Sequence, residues 1–299
     1  MTELPSTEQF ATIGAGYSPD ASRSLSLKAD AYTDPAWYEV DRSAIIARSW
    51  QWVCHVEKLC EPGSYLATEV AGRPIAIVRD REGVLRAFYN VCKHRAHHLL
   101  SGEGTASRIM CPYHAWVYRL DGRLARAPET ENLSDFDVNS ICLDEVQVTE
   151  FAGFVFLNLD PDAEPLSRAS DGLETEIRHW APDIEELTFG YRLSYDIKSN
   201  WKNVVDNFLE CYHCPVAHKD FCNLVDMDTY EVTTHGIYSS HMAEAGKGAN
   251  TAYDVSNATV RTHAVWWLWP TTCLMRYTGR SSMIVLNIIP AGADRTLDS

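Results

Sequence analysis

Basic side chains are scarce in this chain: 26 Lys and Arg stand against 41 Asp and Glu, a net charge of −15. A surface with that balance repels polyanions, which argues against nucleic acid or an anionic membrane as a partner. Long apolar runs are also missing, and no stretch approaches the roughly 18 to 20 apolar residues needed to span a bilayer. The opening residues MTELPSTEQF are polar and acidic, unlike a signal peptide. No Gly-x-Gly-x-x-Gly follows a strand-like run, so a dinucleotide site of that kind is absent. Nine cysteines, an odd number spread along the chain, fit a reducing compartment better than a disulfide framework, and a cytoplasmic protein is expected.

Composition is otherwise ordinary for a globular protein, and 299 residues allow two domains. The chemistry concentrates first between Phe88 and Tyr118, FYNVCKHRAHHLLSGEGTASRIMCPYHAWVY. Cys92 and His94 form one ligand pair, Cys111 and His114 another. Structural zinc usually takes Cys-x2-Cys with a His pair, whereas here each loop offers one thiolate and one imidazole. Two thiolates on one iron and two imidazoles on the other make the Rieske ligand set of a [2Fe-2S] cluster. Buried core thiols are the alternative, but that leaves the spacing to coincidence. Pro112 stiffens the second loop, Gly102 and Gly104 let the chain return, and Asp121-Gly122 reads as a hairpin turn. A saturated cluster leaves no vacancy for His97 and His98. Cys54, Cys60, Cys142, Cys222 and Cys273 are expected to pack.

In chain order, residues 1 to about 30 read as an arm that orders on contact. Asp34 to Trp52 reads as a helix capped by Asp34 and started by Pro35. Tyr65–Val70, Pro74–Arg79 and Val84–Val91 are short strands of an antiparallel module, with the cluster loops at its tip. Leu143–Thr149 and Phe151–Leu159, separated around Glu150, close it. Residues 160–170 have a linker's composition. The expected division is therefore residues 1–45 as arm and helix, 46–165 as the β module, and 166–299 as a second domain.

That second domain holds NWKNVVDNFLECYHCPVAH, residues 200–218. The pattern predicts a helix from Trp201 to Cys214, with Val204, Val205, Phe208, Leu209 and Tyr212 on one face. Asn203, Asp206, Asn207, Glu210 and His213 recur along a polar stripe. Pro215 is expected to end the helix, which lets His218 turn back towards His213. Two imidazoles and a carboxylate are the facial set for non-haem Fe(II), although a His-x4-His pair alone also occurs on ordinary surface helices. Cys211 and Cys214 are expected to be packed thiols.

Together these motifs resemble the Rieske non-haem iron oxygenases, alpha (oxygenase) subunit. The carriers are Cys92-x-His94-Arg95, Cys111-Pro-Tyr-His114-x-Trp116 and the stretch NWKxxxxNxxExYHxxxxH from Asn200 to His218. Ala96 and Ala115 stand where many relatives carry Gly. The resemblance implies an α+β fold: an all-β Rieske domain and a helix-grip (START-like) catalytic domain on an antiparallel sheet, C-terminally truncated here. It implies Cys92, His94, Cys111 and His114 as cluster ligands and His213 and His218 as ligands of a mononuclear iron. Asn207 is implied as a catalytic residue, and Glu210 as an acid bridging an iron-ligating histidine to a Rieske histidine, best matched by His114, of an adjacent subunit. The family's third iron ligand, usually Asp, lies further along, and Asp220, Asp226, Asp228, Asp254 and Asp294 are not convincing substitutes.

Glu rather than Asp at position 210 resembles the branch that oxidises carnitine, glycine betaine, choline and stachydrine. Trp267 and Trp269, on one strand face near Tyr277, are then candidate walls of a cage for a trimethylammonium group, with core packing as the plainer reading. The expected activity is O2-dependent hydroxylation beside a quaternary nitrogen with C–N cleavage, driven by NAD(P)H through a flavin and iron-sulfur reductase, in a homotrimer. An aromatic-ring dioxygenase and a Rieske electron-transfer module, or a catalytically silent subunit, are the alternatives.

Overall fold

Short β-branched and aromatic runs broken by glycine-bearing turns build the first part of the chain. The computed structural model describes residues 4–248 and 250–299, and it divides into Ile46–Arg168 and a second unit made of the described residues up to Ile45 with Ala169–Ser299.

In the first unit, β1 (Gln51–His55), β2 (Ser64–Val70), β3 (Arg73–Arg79), β4 (Leu85–Tyr89) and β5 (Glu103–Thr105) are followed by β6 (Ile109–Met110), β7 (Val117–Tyr118) and β8 (Leu124–Arg126), then β9 (Glu145–Phe151) and β10 (Phe154–Asn158). A seven-stranded antiparallel sheet has the order β1-β10-β9-β4-β3-β2-β5, and β6-β7-β8 form a small second sheet. The two hairpins β2–β3 and β9–β10 turn on Ala71-Gly72 and Ala152-Gly153, all four at positive φ, as a tight two-residue hairpin requires. The second turn therefore lies at Ala152-Gly153 and not around Glu150. At the expected Asp121-Gly122 turn Gly122 has φ 86°, and a Cβ there would meet Phe88 Cε1 at 2.5 Å. Phe88, Ile109, Tyr118 and Leu124 form a core that also takes in Cys92 and Cys111.

The helix expected from Asp34 to Trp52 is shorter. Asp34 caps it through the Ala36 amide, Pro35 opens it, and after Val40 it continues as two distorted turns to Arg48, leaving Gln51 and Trp52 in β1. In the arm, Thr7–Ile13 is helical, closed by a Ser6–Gln9 capping box, and buries none of its residues.

The second unit is organised on β11 (Tyr195–Ile197), β12 (Glu231–Thr234), β13 (Tyr238–Glu244), β14 (Thr262–Leu268), β15 (Thr272–Arg276), β16 (Ile284–Gly292) and β17 (Arg295–Asp298), antiparallel in the order β11-β17-β16-β15-β14-β13-β12. Trp269 and Pro270 lie in the turn that joins β14 to β15. The apolar face of the Trp201–Leu209 helix, with Trp201, Val205 and Phe208, lies on Cys273, Leu286 and Ile288 of this sheet. Asp41 ties the helix start to the N-terminal segment, accepting hydrogen bonds from Trp201 Nε1 at 2.9 Å and from Lys202 Nζ. Among the described residues no helix is long and apolar enough to cross a membrane.

Candidate metal centres

The Cys92 and Cys111 loops have the same backbone. In each, the cysteine amide bonds the carbonyl five residues on, His97 O at 2.9 Å and Trp116 O at 2.8 Å. In each, the amide four residues on returns to the cysteine carbonyl, from Ala96 and from Ala115, both at 3.0 Å. Those two alanines sit at φ 53° and 56°, the left-handed region where glycine costs least. The departures from Gly noted in the sequence are therefore alanines that carry some strain.

Both thiols are 2% exposed, and the His94 and His114 rings lie 4.6 Å apart at 70°. Trp116 stacks on His94 with centroids 4.9 Å apart. Tyr118 Oη accepts from the Lys93 amide at 3.0 Å and stands 3.3 Å from Cys92 Sγ, so its proton is free to donate to a thiolate. His114 Nδ1 is buried without a hydrogen-bond partner. Burial, then the neighbouring His94, Arg95 and His97, lowers the His114 pKa, which favours the neutral imidazole. An orphaned ring nitrogen beside two buried thiols is what a cluster would satisfy, and the donor set fits [2Fe-2S]. His97 turns away, its Nδ1 at 2.7 Å from the His98 carbonyl.

The second site departs from its expected geometry. The helix stops at Leu209, and Glu210 is extended at φ −116°, ψ 148°. The cause is local: the Glu210 carboxylate accepts the Tyr212 amide at 2.5 Å and the His213 amide at 3.3 Å, which starts a new turn. Glu210 and His213 consequently do not share a helical stripe, and Tyr212, expected on the apolar face, is 96% exposed. Pro215 opens the Cys214–Ala217 helix instead of ending one. Cys211 and Cys214 are joined by a disulfide, not packed as thiols. Cys60 and Cys142 are exposed, also against expectation, while Cys54 and Cys273 are buried.

His213 and His218 nevertheless face each other, ring centroids 5.0 Å apart. Glu210 Oε1 lies 2.5 Å from His213 Nδ1, so the ring donates there and leaves Nε2 for an ion. That hydrogen bond, together with the backbone amides, holds the Glu210 carboxyl below the usual carboxylate range. Among the described residues no third His, Cys, Asp or Glu joins His213 and His218 in a group that could hold a metal ion. Asp220 is bonded by Thr251 and Asp226 is paired with Lys247. The two imidazoles fit two positions of a facial set and leave the remaining positions to other ligands.

A cavity of about 650 Å³ adjoins this pair, lined by Asn207, Glu210, His213 and His218 and, further in, by Phe221, Tyr230, His241, His263 and Tyr277. Trp267 and Trp269 do not line it. Trp267 lies in the core beneath the Trp201–Leu209 helix, and Trp269 is in the turn, 37% exposed, against Trp201 and Trp267. The aromatic wall comes instead from residues whose only sequence signal was a polar ring placed in strand-like runs: His241 on β13 and His263 on β14. Burial raises Tyr230 and Tyr277 to about 12 and, with His241 nearby, lowers His263 to about 4.

Both parts of the chain are similar to known proteins. The Rieske [2Fe-2S] domain matches residues 49–140, and the ring hydroxylating alpha subunit (catalytic domain) matches residues 184–297. The carnitine monooxygenase oxygenase subunit of Escherichia coli K12 is 39% identical over 269 residues, 90% of this chain and 72% of that protein. The chloroplastic choline monooxygenase of Beta vulgaris is 31% identical, over 87% of this chain and 58% of its own length. The structure of a quaternary ammonium Rieske monooxygenase, studied for carnitine oxidation by gut microbiota and inter-subunit electron transfer, superposes with a TM-score of 0.81 at 36% identity, covering 90% of this chain and 73% of that one. An oxygenase subunit of this kind uses O2, a Rieske cluster and a mononuclear iron, and takes its electrons from a separate reductase. The chain belongs to the Rieske non-haem iron oxygenases, as an oxygenase alpha subunit.

Proposed function

We propose that this oxygenase hydroxylates a C–H bond beside the nitrogen of a quaternary ammonium compound, and that the product collapses with C–N cleavage. The observation that carries the substrate class is the cavity beside His213 and His218. Its inner wall is aromatic, and Lys219, exposed, is the one cationic side chain among its described lining residues. Aromatic faces attract an ammonium group by roughly 0.5 to 2 kcal/mol each. Phe221, Tyr230 and Tyr277 therefore replace the tryptophans as the rings that would receive the trimethylammonium head.

In this reading Cys92, His94, Cys111 and His114 ligate the cluster, and His213 and His218 ligate the mononuclear iron. When bound there, the cluster would supply single electrons and the iron would offer open positions for O2 and substrate. Glu210 holds His213 in the tautomer that offers Nε2; its Oε2 already accepts the Tyr212 and His213 amides, so the remaining lone pair of Oε1 would be the one to meet His114 of an adjacent subunit in a homotrimer. Asn207, on the cavity wall beside Glu210, would orient bound water or substrate. The reductase would be a flavin and iron-sulfur protein drawing on NAD(P)H, and the assembly would be cytoplasmic.

The test is substrate-dependent NADH and O2 consumption with a surrogate reductase, comparing carnitine, glycine betaine and choline with aromatic acids. Turnover of at least one quaternary amine with release of a tertiary amine is expected. Turnover confined to the aromatic set would overturn the substrate assignment.

A further inference from the structure

The small β6-β7-β8 sheet that carries the Cys111 loop turns apolar side chains inward and arginines outward. Ile109 is opposite Tyr118 and Tyr118 opposite Leu124, and all three are buried. The same register brings Arg108 beside Arg119 and Arg119 beside Arg123, whose carbonyl accepts the Arg119 amide at 2.9 Å. Alternation then directs these three side chains to the solvent face, and all three are exposed. Arg81, also exposed, extends the row: its Nη2 donates to the carbonyl of Ser107, next to Arg108, at 3.3 Å.

Like charges directly opposite one another on a sheet, with Cβ atoms about 5 Å apart, destabilise it. Other basic side chains of this unit are paired: Arg48, Lys58, Arg79, Arg86, Lys93 and Arg168 each hold a carboxylate. Among the described residues no carboxylate lies within ion-pair distance of Arg81, Arg108, Arg119 or Arg123. Asp121, in the turn between the last two, accepts the Arg123 amide at 3.1 Å with its Oδ1. Four unpaired cations side by side, in a chain of net charge −15, call for an anionic partner.

Their position says which one. Arg108 stands three residues before Cys111, roughly 10 Å along an extended strand, and β7 returns from the same loop. Of the large apolar side chains on these strands, Met110 is exposed, and Ile109, Val117, Tyr118 and Leu124 are buried. A charged face with so little apolar surface suits a small, transient electron-transfer contact. A permanent subunit interface is larger and more hydrophobic.

We propose that Arg81, Arg108, Arg119 and Arg123 form the surface on which the electron-donating reductase docks, through an acidic face around its own redox centre. One electron passes from the reduced donor to the oxidised cluster, and the donor leaves oxidised. The row steers the donor and fixes its orientation, and salt screens it. The inference rests on the assignment of the cluster to the Cys92 and Cys111 loops, which the visible spectrum of the same preparation checks separately.

The test uses the whole chain loaded with its cluster. The probes are the reductase partner of the 39% identical Escherichia coli K12 oxygenase subunit and an acidic plant-type [2Fe-2S] ferredoxin. Binding is read by calorimetry and cluster reduction by stopped-flow absorbance, at about 50 and about 300 mM salt. Wild type is expected to bind at least one donor, with affinity and reduction rate each falling about tenfold or more at the higher salt. Arg108→Glu, Arg119→Glu and Arg123→Glu combined should cost about tenfold or more at low salt and remove most of the salt dependence. The same three positions changed to Ala should fall between, and they decide the matter if charge reversal disturbs the cluster spectrum. Arg192→Glu, Arg261→Glu and Arg280→Glu combined change the net charge equally on exposed arginines of the other unit, and should stay within about threefold of wild type. Reduction by a small photoreductant and the mass by light scattering should be the same in all variants. Equal losses in the two charge-reversed proteins would mean that net charge alone matters, and would overturn the proposal. So would undiminished binding in the row variants, or binding of neither donor by wild type. A changed mass in the row variants would make the row a contact between copies of this chain and overturn it too.

Discussion

The two metal-binding regions are built on opposite plans. The Rieske loops are a matched pair: the same backbone bonds recur around Cys92 and Cys111, the thiols are buried, and each donor comes from a short stretch of sequence. The 210–218 segment is asymmetric, with an extended Glu210, a disulfide across His213, and two imidazoles facing an open cavity. A cluster that only passes electrons is best enclosed and saturated. An iron that must admit O2 and substrate needs positions the protein leaves free.

The sharpest way to separate the two is Cys111→Ser. It should abolish the cluster, with loss of the visible absorption and of all acid-labile sulfide, while iron bound through His213 and His218 persists; loss of both irons together would mean that the sites are not independent. Next in size is Glu210→Gln, which weakens the support of His213 Nδ1. Loss of such a partner typically costs 10- to 100-fold in metal affinity, so the mononuclear iron should exchange with chelator at correspondingly lower concentration, and the cluster spectrum should not change.

A smaller effect distinguishes the cavity from the cluster by pH. Burial holds His263 neutral down to about pH 4 in the folded chain, against an ordinary value of 6.5. Below pH 6.5 the unfolded chain takes up a proton that the folded one refuses, so the stability is whole above that pH and is lost as pH falls towards 4. Between pH 7 and 5 the loss is about 2 kcal/mol, and denaturant titrations of His263→Phe should lack that part of the acid sensitivity. The smallest effect tests the matched loops. Ala96→Gly or Ala115→Gly relieves a left-handed alanine and should stabilise the Rieske unit by about 1 kcal/mol with the cluster spectrum preserved.

The comparison also explains what could be read from the sequence. The Rieske ligands are legible because their chemistry is encoded in spacing, Cys-x-His and Cys-x2-His, and the turns around them in Pro112 and Gly122. Of that unit's strands, β2, β3, β4, β9 and β10 were visible for the same local reason, whereas the start of β1 was read as helix. At the second site the ligand pair was legible but its setting was not. Helical periodicity ran on through Glu210, and nothing in a hydrophobic pattern says that a carboxylate will capture the next amides and end the helix at Leu209. Of the cavity wall only Tyr277 was named from the sequence; Phe221, Tyr230 and His263 were missed because they come from a helix, a turn and a strand distant in sequence. The tryptophans drew attention by size, yet Trp267 serves as the floor for a helix and Trp269 lies beyond the end of β14. Cys211 and Cys214 show the same limit: three residues of separation allow a disulfide or two thiols, and the turn decides.

The central claim is that one chain carries two distinct metal centres, and iron and acid-labile sulfide per chain after anaerobic reconstitution test it most directly, read with the reduced-state electron paramagnetic resonance spectrum. The account predicts about three irons and two sulfides with a Rieske-type signal, from one cluster and one further iron. About two irons and two sulfides would contradict it, since His213 and His218 would then hold no metal and the cavity beside them would have no oxidising centre.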